Sequence, residues 1–156
     1  MEIRVALDNT CTKYPDYAII SLSEQGGTRK VAMHMENYSF GLLSLVLQNT
    51  DLKAPLVHAS LFHCVQALQG DIEKIQIYDA DGFFKTKIFI NDRRADRTYT
   101  LEINVLDGII IASICRCPIF ILEEVFQKYS DQVNLWKDNL KLRLFEEFDH
   151  TKATKM

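Results

Sequence analysis

Between Glu102 and Val125 the chain reads EINVLDGIIIASICRCPIFILEEV, and few folds can accommodate that order. Glu102-Ile103 ends an apolar-alternating run. Asn104 is a good helix N-cap, because its side-chain oxygen can accept a hydrogen bond from an orphan amide of the first turn. A helix is predicted to follow, with Asp107 near the positive end of its dipole and Ile109 to Ile114 too apolar to be anything but buried. Pro118 stops that helix. Ile119 to Leu122 then reads as a short buried strand, and Glu123-Glu124 open another helix with negative charge in its first turn. The segment specifies an architecture and is sparse in chemistry.

Elsewhere the periodicities alternate between two and 3.6. Ile3 to Leu7 is predicted as a strand, 8–16 with Pro15 as a loop, and Tyr17 to Leu22 as a second strand. Gly26-Gly27 mark a hairpin into Lys30 to Met35, with Val31, Met33 and Met35 on one side and Lys30, Ala32 and an exposed His34 on the other. Asn37 to Leu47 has helical spacing, and Asn49-Thr50-Asp51 end it with turn residues. A second helix follows, with Pro55 in its first turn, Val57, Leu61, Val65 and Leu68 as its buried stripe, and Gly70 at the left-handed position that helix ends favour. Ile72 to Tyr78 and Phe83 to Ile90 flank Asp79-Ala80-Asp81-Gly82, whose Asp-Gly pair signals a tight hairpin. Arg97 to Ile103 returns after the loop 91–96.

The last stretch, 130–148, is predicted as a helix with Val133, Trp136, Leu140 and Leu144 on one side and Leu135, Leu142 and Phe145 widening it. So broad an apolar surface needs more than one partner surface. The predicted class is α+β, in the order βββααβββαβα plus a C-terminal helix, with two strand groups forming mixed or antiparallel sheets against packed helices. One domain over 1–129 is expected, with 130–150 as a helical extension packed on it and 151–156 as a frayed tail.

At 156 residues, 47% hydrophobic and 25% charged, the chain can bury an adequate core for one domain. Its apolar runs are too short to cross a bilayer, and MEIRVALD lacks the order of a signal peptide. A soluble, cytoplasmic protein without membrane contact is expected. Cys11, Cys64, Cys115 and Cys117 offer only one close pair, a C-x-C, which is poor zinc spacing and reads as ordinary thiols in a reducing compartment. The net charge of −3 gives no global electrostatic footprint for nucleic acid.

Together these segments resemble the bifunctional nuclease domain family, over about Tyr17 to Tyr129. The strongest piece is DGIIIASICRCPIFILEEVFQKY, similar to the family's apolar helix, small-residue-Pro-Ile strand and Glu-Glu-Val helix. VAMHMENYSFGLLSLVLQN, PLVHASLFHCVQALQGDIEKIQI and the YDADGFFKTKIFI hairpin add support. The resemblance implies cleavage of RNA and DNA, and a homodimer. Of the family's polar set it carries over Asp107, at a helix start where Asn104, Val105 and Leu106 replace Arg-Pro-Ser, and His58. Glu102 stands where the family has an Asp. At Met35 to Phe40 the family's carboxylate is absent.

Hydrolysis without an arginine clamp needs either metal ions on several carboxylates or a positioned histidine-acid pair. Asp107, His58 and Glu102 are therefore the candidate catalytic residues. Dipole compensation also accounts for Asp107, and a half-buried imidazole bonded to backbone accounts for His58. Asp79 and Asp81 could join Glu102 around a divalent metal, although turn chemistry already explains both, and the cofactor stays undetermined. For RNA or DNA the candidate contacts are Arg93, Arg94 and Arg97 with Lys85, near Phe83, Phe84 and Tyr99, since cations beside aromatics can track phosphates and stack bases. A solvated hairpin tip, diluted by Asp92 and Asp96, is the alternative. The other surviving reading is a dimeric binding or regulatory module that keeps the fold without the chemistry.

Overall fold

The computed structural model describes residues 1–8, 12–48 and 56–129. Strands β1 (Glu2–Leu7), β2 (Thr12–Lys13), β3 (Tyr17–Glu24) and β4 (Lys30–Glu36) precede helices α1 (Asn37–Leu47) and α2 (Val57–Ala67). Then β5 (Gly70–Ala80), β6 (Phe83–Asp92) and β7 (Arg97–Asn104) lead into α3 (Val105–Cys115), β8 (Ile119–Leu122) and α4 (Glu123–Tyr129). The fold is α+β, and the two-residue β2 inside the predicted loop is the one addition to the expected order. The expectations for Asn49-Thr50-Asp51, Pro55, Cys11 and everything from Ser130 onward lie outside the described residues.

The two predicted strand groups are joined into one eight-stranded sheet, ordered β2-β3-β1-β8-β5-β6-β7 with β4 on the other side of β3. β8 makes the joint. It runs antiparallel to β1, with Ile121 opposite Ile3, and parallel to β5, with Ile119 opposite Ile75. The crossover through α3 permits this, because it returns the chain from the β7 edge to the middle of the sheet.

Side chains alternate across the strands, so one face of the sheet is a continuous apolar layer. Ile3, Val5, Ile20, Leu22, Met33, Met35, Ile75, Ile77, Ile88, Ile119 and Ile121 are buried there beneath the helices. α3 lies across β5 and β6 with α1 and α2 against its flanks, while α4 packs on β4 and β8. Every residue from Gly108 to Ala112 is buried, and Ile109, Ile110 and Ile111 each contribute about 1.5–3 kcal/mol from leaving water. By the same registers the opposite face carries Lys74, Gln76, Tyr78, Lys85, Lys87, Phe89, Glu102 and Phe120. None of the four described helices packs on that face.

Two local expectations are corrected. Along α2 only Val65 is buried, with Leu61 half-buried, whereas Val57 and Leu68 are 82% and 65% exposed. The helix sits beside α3 at the border of the layer, so the surface beneath it is narrower than its stripe. The left-handed residue after α2 is Gln69 (φ 62°), not Gly70. Gly70 serves close approach instead, since a Cβ there would lie 3.0 Å from Val65 Cγ1 and 3.2 Å from Val65 O. The Asp-Gly turn is as expected, with Asp81 at φ 54° and Gly82 at φ 85°.

Candidate functional site

The β7–α3 junction builds the site. Asn104 is extended and its Oδ1 accepts from the Leu106 amide at 2.8 Å, which caps α3 and places Asp107 in the first turn. His58 stands in the first turn of α2, and its Nε2 lies 2.9 Å from Asp107 Oδ1. A carboxylate only accepts, so Nε2–H is the donor, and in a neutral ring Nδ1 holds the lone pair. Nδ1 is buried and finds no partner. The His58 side chain is 14% exposed and that of Asp107 52%. The solvent-facing member of the pair is therefore the carboxylate, with the imidazole behind it.

Beneath the same turn lies a residue the sequence reading missed. Thr86 on β6 is fully buried, its Oγ1 has no hydrogen-bond partner, and α3 approaches it at Gly108. A Cβ on Gly108 would lie 2.6 Å from Thr86 Cγ2. The glycine thus sets how close the Asp107 turn comes to the sheet. Nothing short-range in the sequence marks Thr86, because its partner is remote in the chain.

Glu102 does not join the pair. It sits opposite Lys87 on β7, and Lys87 and Lys85 flank the inward-facing Thr86, so all three side chains point to the open face. Tyr78 Oη donates to Glu102, and Lys85 Nζ reaches its Oε1 at 3.0 Å. The Tyr78 hydrogen bond, ahead of Lys85, holds the Glu102 carboxyl below the usual range, and the same bond raises the Tyr78 phenol. Asp79 is engaged elsewhere, by Lys128 and by Tyr129 Oη. Among the described residues no three His, Cys, Asp or Glu side chains come together as a metal-holding group.

The basic cluster is divided as well. Arg93 pairs with Asp71 at 3.1 Å and Arg94 with Asp92 at 3.3 Å, at the turn that leads into Arg97. Lys85 lies at the other end of the hairpin, opposite Asn104, roughly 23 Å away along β6 at about 3.3 Å per residue. Beside the arginine turn is an apolar cleft of about 250 Å³ lined by Val65, Leu68, Ile90 and Tyr99. A second grouping appears on the open face, where Lys74 Nζ lies 4.6 Å from the Phe89 ring centre and 5.4 Å from that of Phe120. Lys87 Nζ lies 4.9 Å from that of Tyr78. Period-two alternation in Lys85, Lys87 and Phe89 carried half of this signal, and the cross-strand half depends on register.

No helix among the described residues is long and apolar enough to cross a membrane. No curated protein matches the chain at a significant level. The bifunctional nuclease domain, by contrast, matches residues 20–134, a span that takes in β4 to α4, the capped start of α3 and the His58–Asp107 pair. On that match the chain belongs to the bifunctional nuclease domain family.

Proposed function

We propose that the protein is a nuclease-like hydrolase of RNA or DNA phosphodiester bonds, with Asp107 as its working carboxylate. One observation carries this reading: His58 and Asp107, remote in sequence, meet at 2.9 Å at the helix start that the family match includes. Asp107, half-exposed, is the group that can orient or deprotonate an attacking water. His58 fixes its rotamer through Nε2–H. Arg93, Arg94 and Arg97 at one end of the β6–β7 hairpin and Lys85 at the other would contact phosphates along a strand. Glu102 in this reading holds Tyr78 and Lys85 in place and takes no part in proton transfer.

Homodimerisation, implied by the family resemblance, is assigned to the β7 edge. That strand pairs only with β6 among the described residues, and Tyr99 and Leu101 are 51% and 43% exposed there. A cytoplasmic location fits the free thiols Cys64, Cys115 and Cys117.

A non-catalytic nucleic-acid-binding module is the second reading, favoured by the burial of His58 Nδ1 and by the lysine-aromatic face. The test is cleavage and binding of single-stranded RNA and DNA, with and without divalent metal, by wild type and Asp107→Asn. Loss of cleavage by about 10²-fold or more in the variant, with binding retained, is expected for a positioned acid-base group. Equal cleavage by both proteins removes Asp107 from the chemistry. Binding without cleavage by wild type selects the module.

A further inference from the structure

The open face of the sheet carries a transverse row of side chains that the His58–Asp107 pair does not use. By register Arg4 on β1 lies opposite Phe120 on β8, Phe120 opposite Gln76 on β5, and Gln76 opposite Lys87 on β6. These strands are adjacent in the sheet, so Arg4 and Lys87 end the row roughly 14 Å apart at about 4.8 Å per strand. Neither cation makes an ion pair among the described residues, and Glu102, opposite Lys87, is already engaged by Tyr78 and Lys85. The adjoining row places Lys74 opposite Phe89. The Lys74 ammonium sits between two half-buried rings, 4.6 Å from the centre of Phe89 and 5.4 Å from that of Phe120, and Glu2 holds it at 2.7 Å. Partly exposed rings and unpaired cations therefore share a face that no described helix covers.

That combination suits an anionic chain with flat, unpaired bases. Phosphates gain from Arg4 and Lys87, and rings on a sheet offer a stacking surface that duplex bases, already stacked on one another, cannot use. An exposed cation–π contact is weaker than a base–aromatic stack, so a base that displaces Lys74 from a ring more than offsets the lost contact. Glu2 works against such a ligand, because it neutralises the cation nearest the rings. We propose that the open face at Phe120 and Phe89 is a single-strand subsite, where unpaired bases of RNA or DNA stack on the rings while Arg4 and Lys87 hold phosphates on either side. The proposal rests on the nucleic-acid reading above and names the surface that reading uses. From Lys87 the strand passes Lys85, opposite Asn104, and so arrives at the helix start that carries Asp107.

Affinity of the full chain is measured by fluorescence anisotropy for labelled oligouridylate, oligothymidylate and a duplex of equal length, over a salt series, with strand integrity checked on a gel. Both single strands are expected to bind more tightly than the duplex. Phe120→Leu keeps an apolar side chain and removes the ring. It is expected to weaken binding about tenfold at an unchanged salt slope, with far-ultraviolet circular dichroism unaltered, and Phe120→Trp to retain binding. Lys87→Gln should lower the slope of log K against log salt by about 0.7, the value for one phosphate on a single strand. Glu2→Gln keeps an acceptor for Lys74 and should tighten binding, which a purely structural pairing would not do. Equal or tighter binding of the duplex overturns the proposal, as does wild-type affinity in both Phe120→Leu and Lys87→Gln, and the Asp107 reading survives either result. Binding that depends on this face, beside cleavage unchanged in Asp107→Asn, supports the subsite while removing that reading.

Discussion

Glu102 and Asp107 are near neighbours in the chain, yet they serve opposite faces of one sheet. Glu102 is the last open-face acid of β7, held by Tyr78 and Lys85. Past Asn104 the backbone turns into a helix, and Asp107 is carried to the other side to meet His58. The helix-covered face is packed with isoleucines and excludes water, whereas the open face is built from lysine-aromatic contacts and exposed ion pairs. Stability should therefore reside on the first face, and the second is free to bind. At the strand–helix junction Asn104 and Asp107 are exposed, so polar groups reach solvent at that border of the covered face.

The largest effect should separate the faces within a single strand. Ile121→Ala, at the buried joint between β1 and β5, should cost about 2–5 kcal/mol in urea denaturation, as expected for deleting a core isoleucine side chain. Phe120→Ala, its neighbour on the open face, should cost about 1 kcal/mol, chiefly lost ring contact. Equal costs would mean that the open face is as tightly packed as the covered one.

Next comes the close approach under Asp107. Gly108→Ala should destabilise by about 1–3 kcal/mol, because overpacking forces α3 away from β6. The clashing atom is Thr86 Cγ2, at 2.6 Å from the added Cβ. Adding Thr86→Ser should thus recover most of the loss, and a double variant no more stable than Gly108→Ala places the strain elsewhere.

Removing the cap by Asn104→Ala should cost about 1 kcal/mol. It should also loosen the Asp107 turn without disturbing Glu102. Tyr78 ring chemical shifts unchanged beside a weakened His58–Asp107 contact, read from imidazole chemical shifts, would bear this out.

The smallest effect is an acid sensitivity at α4. Arg29 Nη1 meets Glu123 Oε1 at 2.6 Å and Arg29 Nη2 meets Glu24 Oε1 at 2.8 Å. Both carboxyls are held below their ordinary value of 4.5, first by the Arg29 hydrogen bond. A carboxyl depressed in the folded state adds stability above its unfolded value, and that stability is lost as pH falls through the folded one. The loss should begin below about pH 4.5 and continue as acidity rises. Glu123→Gln should flatten that part of the stability–pH curve, and an unchanged slope would assign the acid response to other carboxylates.

The local chemistry of the fold was legible because it acts over a few residues. Asn104 capped the helix it was expected to cap, that helix ended at a left-handed Arg116 before Pro118, and Asp81-Gly82 turned the hairpin with both residues at positive φ. The stripe of α2 misled because periodicity reports which side of a helix is apolar, not how much surface lies beneath it. Gly70 misled because a glycine answers either to conformation or to proximity, and only the distance to Val65 distinguishes them.

The site divides the same way. Asp107 and His58 were readable as chemistry-bearing residues, and the family likeness was already visible in the segment around them. Their contact, the separation of Glu102, the distance between Lys85 and the arginine turn, and the burial of Thr86 depend on how β6, β7, α2 and α3 pack. By itself the sequence determined the elements, since caps, turns and alternation are short-range. The placement of β8 as the joint of one sheet, and with it the choice of which acid meets His58, was decided by tertiary structure. Strand pairing and helix docking are long-range contacts, selected by burial of the whole isoleucine layer at once.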